Sequence, residues 1–311
     1  MTTEQAGWVP LALRYRDRLP LPQGAPVVSL GEGSTPLLPA LRLGQELGVE
    51  LWLKWEGANP TGSFKDRGMA LAVSRALERG AAGVVCASTG NTAASCAAYA
   101  ARAGLPAVVF TPRGAVARGK VAQARATGAD VREIDGTFED AHAEARRLAE
   151  EQQFVNVNSI NPDRIEGQSS AAREVVEQLG RVPDVLALPF GGGGNTVAYA
   201  VGFGERLPRF VLGEAERRAD TFASAIRIVE PVHAVEVGRV LERSGGTRVT
   251  LSEQQIDDAW RLVAREEGVF CEPASAAGIA AVTVAAPAGS VVCVLTGHGL
   301  KDPDATERLA A

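Results

Sequence analysis

From about residue 50 onward, short continuous apolar runs alternate with stretches whose apolar residues recur at helical spacing. "VELWLKWE", "GVVCAST", "LPAVVFTP", "DVREID", "FVNVNS", "VPDVLALPF" and "SVVCVLTGHG" read as strands. "NTAASCAAYAARAG", "KVAQARATGA", "TFEDAHAEARRLAEEQ", "GQSSAAREVVEQLG", "GGGGNTVAYAVG", "QQIDDAWRLVAREEG" and "PASAAGIAAVTVAA" read as helices. Gly104 is the expected C-cap of the first of these, and Thr137 with Asp140 forms a near capping box on the third. Strands that are apolar on both faces, joined through helices by short connections, fit a parallel sheet covered on both sides. The pattern therefore predicts an α/β chain with an open parallel-sheet architecture. In such sheets ligands lie beyond the carboxyl ends of the strands. No shift in composition marks a linker, so two closely associated lobes are expected.

Charge narrows the partners. Acidic residues outnumber basic ones 37 to 32 over 311 residues, with no basic run. That argues against nucleic acid or an anionic membrane surface as the main partner. No run of 18 apolar residues exists, and the start "MTTEQAGWVP" lacks a basic region followed by an apolar one. No membrane span and a cytoplasmic location are expected. Cys86, Cys96, Cys271 and Cys293 form no C-x-x-C pair and read as small buried hydrophobes in a reducing compartment. His142, His233 and His298 show no metal-ligand spacing, so no metal is expected.

"NPTGSFKDRG", from Asn59 to Gly68, sets Lys65 where a turn gives way to a helix. A helix N-terminus disfavours a cation, so a buried lysine there has a lowered pKa and can form a Schiff base. A solvated surface lysine is the alternative. "GGGGNT", Gly191 to Thr196, follows a strand and opens a helix. Its glycines let backbone N–H groups converge on a phosphate, with Asn195 and Thr196 adding polar contacts; a tightly packed turn is the other reading. The first strand–helix unit carries no dinucleotide fingerprint, and "GAVARGK" lacks the hydroxyl of a nucleotide-binding loop. "STGNT", Ser88 to Thr92, clusters hydroxyls and an amide at a helix start, which suits a carboxylate or a simple N-cap. In "TGHGLKD" Thr296 can make one hydrogen bond at the end of a strand, while His298 is structural or functional. A phosphate at the glycines, an aldehyde at Lys65 and a hydroxyl near a ring nitrogen together suit pyridoxal phosphate.

With "GEGSTPL", "NVNSINPDRIEGQ", "EEGVFCEPASAA" and "LTGHGLKDP", these motifs make the stretch from Gly31 to Pro303 resemble the threonine synthases. That family uses the pyridoxal-phosphate fold of tryptophan synthase β-chains, cysteine synthases and serine/threonine dehydratases. "SFKDRG" followed by "STGNT" separates the pattern from the dehydratases, which resemble SFK-x-RG with an S-x-G-N-H loop. The resemblance implies the two-lobed tryptophan synthase β-like architecture, fold type II. Residues 1–60 with 156–311 would form a large cofactor-binding lobe, and 61–155 a small mobile substrate lobe. It implies that Lys65 carries the cofactor and moves protons, and that Asn91 bonds the cofactor's ring oxygen. Gly191, Gly192, Gly193, Gly194 and Asn195 would hold its phosphate. Thr296 would face the pyridine nitrogen and leave it unprotonated.

By the same resemblance Ser88, Thr89 and Thr92 take the substrate carboxylate. Asn158, Ser159 and Arg164, assisted by Lys120, take the substrate's own phosphate; for Arg164 an ordinary surface ion pair is the alternative. The implied reaction converts O-phospho-L-homoserine and water to L-threonine and phosphate, in a homodimer. A dehydratase-type lyase acting on a non-phosphorylated substrate stays open. So does a shortened, non-catalytic paralogue, because "GERLPRFVLGEAERRADTFASAIRI" is shorter than its family counterparts by about a dozen residues. Either Phe210 to Gly213 still supplies a strand and the following loop is trimmed, or a strand is lost.

Overall fold

The computed structural model describes residues 9–114, 118–303 and 305–306. Its strands are β1 (Leu37–Pro39), β2 (Glu50–Trp55), β3 (Gly83–Ala87), β4 (Ala107–Pro112), β5 (Asp130–Ile134), β6 (Phe154–Asn156), β7 (Val185–Pro189), β8 (Arg209–Ala215), β9 (Thr247–Leu251) and β10 (Ser290–Leu295). The helices begin with α1 (Leu11–Arg14), α2 (Leu41–Leu47), α3 (Lys65–Glu78), α4 (Asn91–Ala103), α5 (Arg118–Ala126) and α6 (Phe138–Gln152). They continue with α7 (Pro162–Leu179), α8 (Gly194–Phe203), α9 (Ala234–Ser244), α10 (Glu253–Glu267) and α11 (Pro273–Ala285). Among the described residues no helix is long and apolar enough to cross a membrane, and no cluster of His, Cys, Asp or Glu could hold a metal.

The chain divides into two compact units. The first takes Met1–Ser34, Asn59–Thr61 and Lys65–Ser170; the second takes Thr35–Ala58, Gly62–Phe64 and Ala171–Ala311. These bounds depart from the expected lobes, because the N-terminal segment belongs with the first unit. Leu11, Ala12, Tyr15, Leu19 and Leu21 bury themselves around Leu71 of α3. The Val28 N–H also donates to Ser74 Oγ on that helix at 2.9 Å. Residues 156–170 join the first unit too, so α7 begins in one unit and ends in the other.

In the first unit a four-stranded sheet runs β5–β4–β3–β6, parallel throughout. All of β3 is buried, as its unbroken apolar run requires. Val84 and Cys86 pack with Met69 and Val73 of α3 and with Ala93, Cys96 and Ala97 of α4. Val85 and Ala87 point the other way, against Ala141, Ala145 and Leu148 of α6. A side chain such as Val or Leu buried in this way contributes roughly 1.5–3 kcal/mol. The expected caps are present: Gly104 ends α4 in the left-handed region at φ 68°, and Thr137 and Asp140 complete a reciprocal capping box on α6.

In the second unit six strands run β1–β2–β10–β7–β8–β9. All neighbours are parallel except β1, which returns antiparallel along β2. Val292 and Val294 join Leu186 and Leu188 on one face, while Val291, Cys293 and Leu295 join Ala187 and the apolar side of α11 on the other. The questioned segment keeps its strand: β8 pairs with β7 from Val185↔Arg209 to Pro189↔Gly213 and with β9 on its far side. Any shortening therefore falls in the loop after Ala215, not in the sheet.

Candidate active site

The first unit builds its half of the motif set around two buried side chains. Lys65 is the first residue of α3 and is half-buried. Its neighbour Asp66 is fully buried and accepts from the Thr61 N–H at 2.7 Å, Thr61 Oγ1 at 2.6 Å and Ser95 Oγ at 2.6 Å. The turn before Lys65 is thus tied both to α3 and to α4. Helices α3 and α7 touch through backbone, since a Cβ on Gly167 would meet the Arg67 carbonyl at 2.4 Å and one on Gly68 would meet the Arg164 carbonyl at 2.5 Å. Only glycine at both positions permits that approach, which sets the start of α7 against α3.

Ser88 caps the turn into α4, its Oγ accepting from the Gly90 N–H at 3.1 Å and the Ala93 N–H at 3.3 Å. Asn91, buried, opens α4, and Thr89 and Thr92 are half-buried beside it. Asn158 is buried and bonded to the backbone beside Ser88. Its Oδ1 accepts from the Ala87 N–H at 2.9 Å and its Nδ2 donates to the Ala87 carbonyl at 2.8 Å. Bound on both sides to the residue before Ser88, it holds the Ser88 turn in place. Ser159, half-buried, follows it. Lys120 lies in the first turn of α5, and its side chain is outside the described residues.

Arg164 is not a surface ion pair. It is fully buried, and Nη1 donates to the Val157 carbonyl at 2.8 Å. Among the described residues, Nε and Nη2 have no hydrogen-bond partner. Burial pulls its pKa down to about 10, against the opposing influence of Cys86, Cys96 and Asp66. A buried guanidinium with two of its nitrogens unanswered is a costly arrangement in a protein core. An anion in the fork would answer both.

In the second unit β7 leads through Phe190 into the glycine turn, which opens α8 at Gly194. Gly193 sits at φ +87°, and a Cβ there would lie 2.8 Å from Val237 Cγ2. The turn's carbonyls are held from behind. His233 N–H donates to the Gly192 carbonyl at 3.1 Å, and Arg218 Nη1 donates to the Gly191 carbonyl at 3.4 Å. Arg218 also bonds Glu214, donates to the Ile228 carbonyl at 2.9 Å and lies 4.7 Å from the centre of the Phe190 ring. This arginine comes from the loop that the sequence marked only as trimmed. Among the described residues, Asn195 Nδ2 and Thr196 Oγ1 are buried without a hydrogen-bond partner. Buried donors left open at a helix N-terminus, with no side chain on the glycines, fit the phosphate of the expected cofactor.

Thr296 follows β10, the strand beside β7, so it and the glycine turn leave adjacent parallel strands at their carboxyl ends. Its Oγ1 donates to Glu272 Oε1 at 3.2 Å and lies 3.1 Å from Ser275 Oγ. The Phe64 N–H donates to the Thr296 carbonyl at 3.0 Å, and Ser63 bridges to Gly297. Phe64 is the residue immediately before Lys65. His298 Nδ1 accepts from the Leu300 N–H at 3.1 Å, and its ring stands edge-on to Phe270. Glu272 and Ser275 lie inside "CEPASAA", a motif with no role assigned from sequence, because nothing in one dimension shows their approach to Thr296.

The family model for "Pyridoxal-phosphate dependent enzyme" matches residues 28–297. A threonine synthase of Synechocystis sp. is 47% identical over 322 residues, covering 96% of this chain and 84% of that protein. A threonine synthase of Bacillus sp. is 46% identical, covering 94% and 90%. The processed form of threonine deaminase isoform 2 from Solanum lycopersicum shares the fold at TM-score 0.79 with 22% identity, covering 94% of each chain. The glycine turn with its open buried donors and the lysine at the head of α3 agree with these likenesses, and the chain belongs to the pyridoxal-phosphate-dependent enzymes, within the threonine synthase family.

Proposed function

We propose that this enzyme converts O-phospho-L-homoserine and water to L-threonine and phosphate. The observation that carries the substrate reading is Arg164, whose buried Nε and Nη2 have no acceptor among the described residues. They supply a second set of anion donors besides those of the glycine turn. A lyase working on a non-phosphorylated amino acid has no use for it. The relatives at 43–47% identity are threonine synthases, which supports the same reading.

In this reading Lys65 Nζ holds the cofactor and then takes and returns protons on the substrate. The cofactor supplies the electron sink that lets a proton leave the α-carbon. Gly191, Gly192, Gly193, Gly194 and Asn195 bind its phosphate, Asn91 its ring oxygen, and Thr296 its ring nitrogen. Ser88, Thr89 and Thr92 take the substrate carboxylate, with Asn158 holding Ser88 in place. Arg164 and Ser159, with Lys120, take the substrate phosphate and orient it for departure. Unpaired buried thiols at Cys86, Cys96, Cys271 and Cys293 support a reducing, cytoplasmic setting. Exposed Val201, Val229, Val232 and Val235 support a homodimer.

The test is phosphate release from O-phosphohomoserine by the purified protein, with and without added pyridoxal phosphate, and threonine measured alongside. Equal amounts of both products, dependent on the cofactor, are expected. Release of 2-oxobutanoate from threonine without phosphate release would move the assignment to a dehydratase.

A further inference from the structure

We infer that Arg218 is a positioning residue for the cofactor's phosphate, fixing the peptide planes of the glycine turn so that N–H groups and not carbonyls face the ligand. The inference rests on the reading that this turn holds the phosphate, and goes beyond it to the side chain that keeps the turn in its binding form.

From Gly191 to Gly194 the turn has no side chains, so its shape has to be imposed from outside. Two of its carbonyls are held. Arg218 Nη1 donates to the Gly191 carbonyl at 3.4 Å, and the His233 N–H donates to the Gly192 carbonyl at 3.1 Å. The peptides here are trans, and across a trans peptide the C=O and the following N–H point opposite ways. A Gly191 carbonyl turned to Arg218 therefore turns the Gly192 N–H away from it. The bond from His233 does the same for the Gly193 N–H. Neither N–H has a backbone acceptor among the described residues. Both are left for a ligand, as are Asn195 Nδ2 and Thr196 Oγ1 at the start of α8. A flipped plane would put a carbonyl oxygen where a phosphate needs a donor, and glycine offers little resistance to such a flip.

The bond to Gly191 is long, yet the guanidinium that makes it is held at three other points. Nη1 also donates to the Ile228 carbonyl at 2.9 Å, Nη2 pairs with Glu214, and Cζ lies 4.7 Å from the centre of the ring of Phe190, the residue before the turn. Glu214 is fixed by the sheet. It stands opposite Thr250 in the β8–β9 register, accepts from the Thr250 hydroxyl at 3.4 Å and lies 3.7 Å from Arg248 Nε. The Arg218 and Glu214 side chains are only 16% and 13% exposed, so water screens their pairing weakly. Behind the glycines, a Cβ on Gly191 would stand 3.2 Å from Ile226 Cα and one on Gly192 3.5 Å from Ile228 Cδ1. Through one nitrogen Arg218 joins this wall to the turn. Its planar fork reaches acceptors in several directions at once, which a lysine's single ammonium does not.

The experiment loads the full-length enzyme with pyridoxal phosphate and, in a parallel sample, with pyridoxal, which lacks only the phosphate. Release of each into cofactor-free buffer is followed by visible absorbance. Arg218→Met keeps the length of the stem and removes the donors. It should release pyridoxal phosphate at least about tenfold faster than the wild type, and pyridoxal at a rate within about twofold of it. Arg218→Lys, which keeps the charge without the fork, should lose nearly as much. Glu214→Gln, which loosens the arginine, should show a smaller loss confined to pyridoxal phosphate, and it decides the matter by the same comparison should Arg218→Met not fold. Equal acceleration for both ligands marks a merely structural arginine and overturns the inference. So does an unchanged release of pyridoxal phosphate, or full recovery by Arg218→Lys. A wild type that releases both ligands at the same rate overturns instead the reading that the glycine turn holds the phosphate.

Discussion

Ser95 on α4 donates its hydroxyl to Asp66 on α3 at 2.6 Å, and Thr61 donates to the same carboxylate through both its N–H and its hydroxyl. Three short bonds to one buried carboxylate hold the turn that precedes Lys65. Bonds to a charged acceptor contribute about 1.5–3 kcal/mol each.

Asp66→Asn keeps the shape but removes the charge and turns an amide N–H₂ toward groups that already donate. Thermal unfolding should show a loss of roughly 2 kcal/mol or more, together with a smaller fraction of protein carrying the cofactor's visible absorbance. An unchanged melting midpoint and full cofactor loading would mean that the turn is held elsewhere.

Lys65→Ala should remove the covalent link to the cofactor. Wild-type protein treated with borohydride is expected to yield one labelled peptide containing Lys65, and the variant none. A label on any other lysine would displace Lys65 from its assigned role.

Arg164→Met should move stability and activity in opposite directions. Burial depresses the arginine's pKa by more than two units, to about 10. At about 1.4 kcal/mol per unit, the charge costs the folded state on the order of 3 kcal/mol at neutral pH, offset in part by the bond to Val157. The variant should therefore melt no lower than the wild type, while kcat/KM on O-phosphohomoserine falls at least about tenfold. A variant that loses both together would mark Arg164 as purely structural.

Asp184 gives a pH-dependent contribution. The Ser290 N–H and hydroxyl both donate to its carboxylate at 2.8 Å, which holds its pKa below the ordinary 3.8. The folded state binds this proton less readily than the unfolded chain. The contribution is thus complete above the ordinary value and is lost as pH falls through the folded one. The stability difference between wild type and Asp184→Asn should be level from neutral pH down to about 5 and shrink below about 4. A difference that is the same at pH 3 and pH 7 would exclude this carboxylate as the source. The bond ties the starts of β7 and β10, whose far ends carry the glycine turn and Thr296.

The alternation of apolar runs and helical patterns determined the class of fold, because a strand such as Val84 to Ala87 that is apolar on both faces must be covered on both. The glycine turn that opens α8 and the helix start at Lys65 were equally legible, since both are set by residues a few positions away. Strand β9 escaped notice because as an edge strand it exposes Arg248 and Thr250, and its short polar–apolar alternation is a weak signal. The antiparallel β1, only three residues long, carries still less. Unit membership was decided by packing: the N-terminal segment follows Leu71 and Ser74, which sequence distance conceals. Burial decided Arg164, because a motif does not say whether a guanidinium lies on the surface or in the core. The partners of Thr296 were also decided only by the tertiary structure. Thr296 meets Ser275 across 21 residues and Glu272 across 24. A motif names the threonine, but the groups that its hydroxyl meets in the core are brought to it only by the fold.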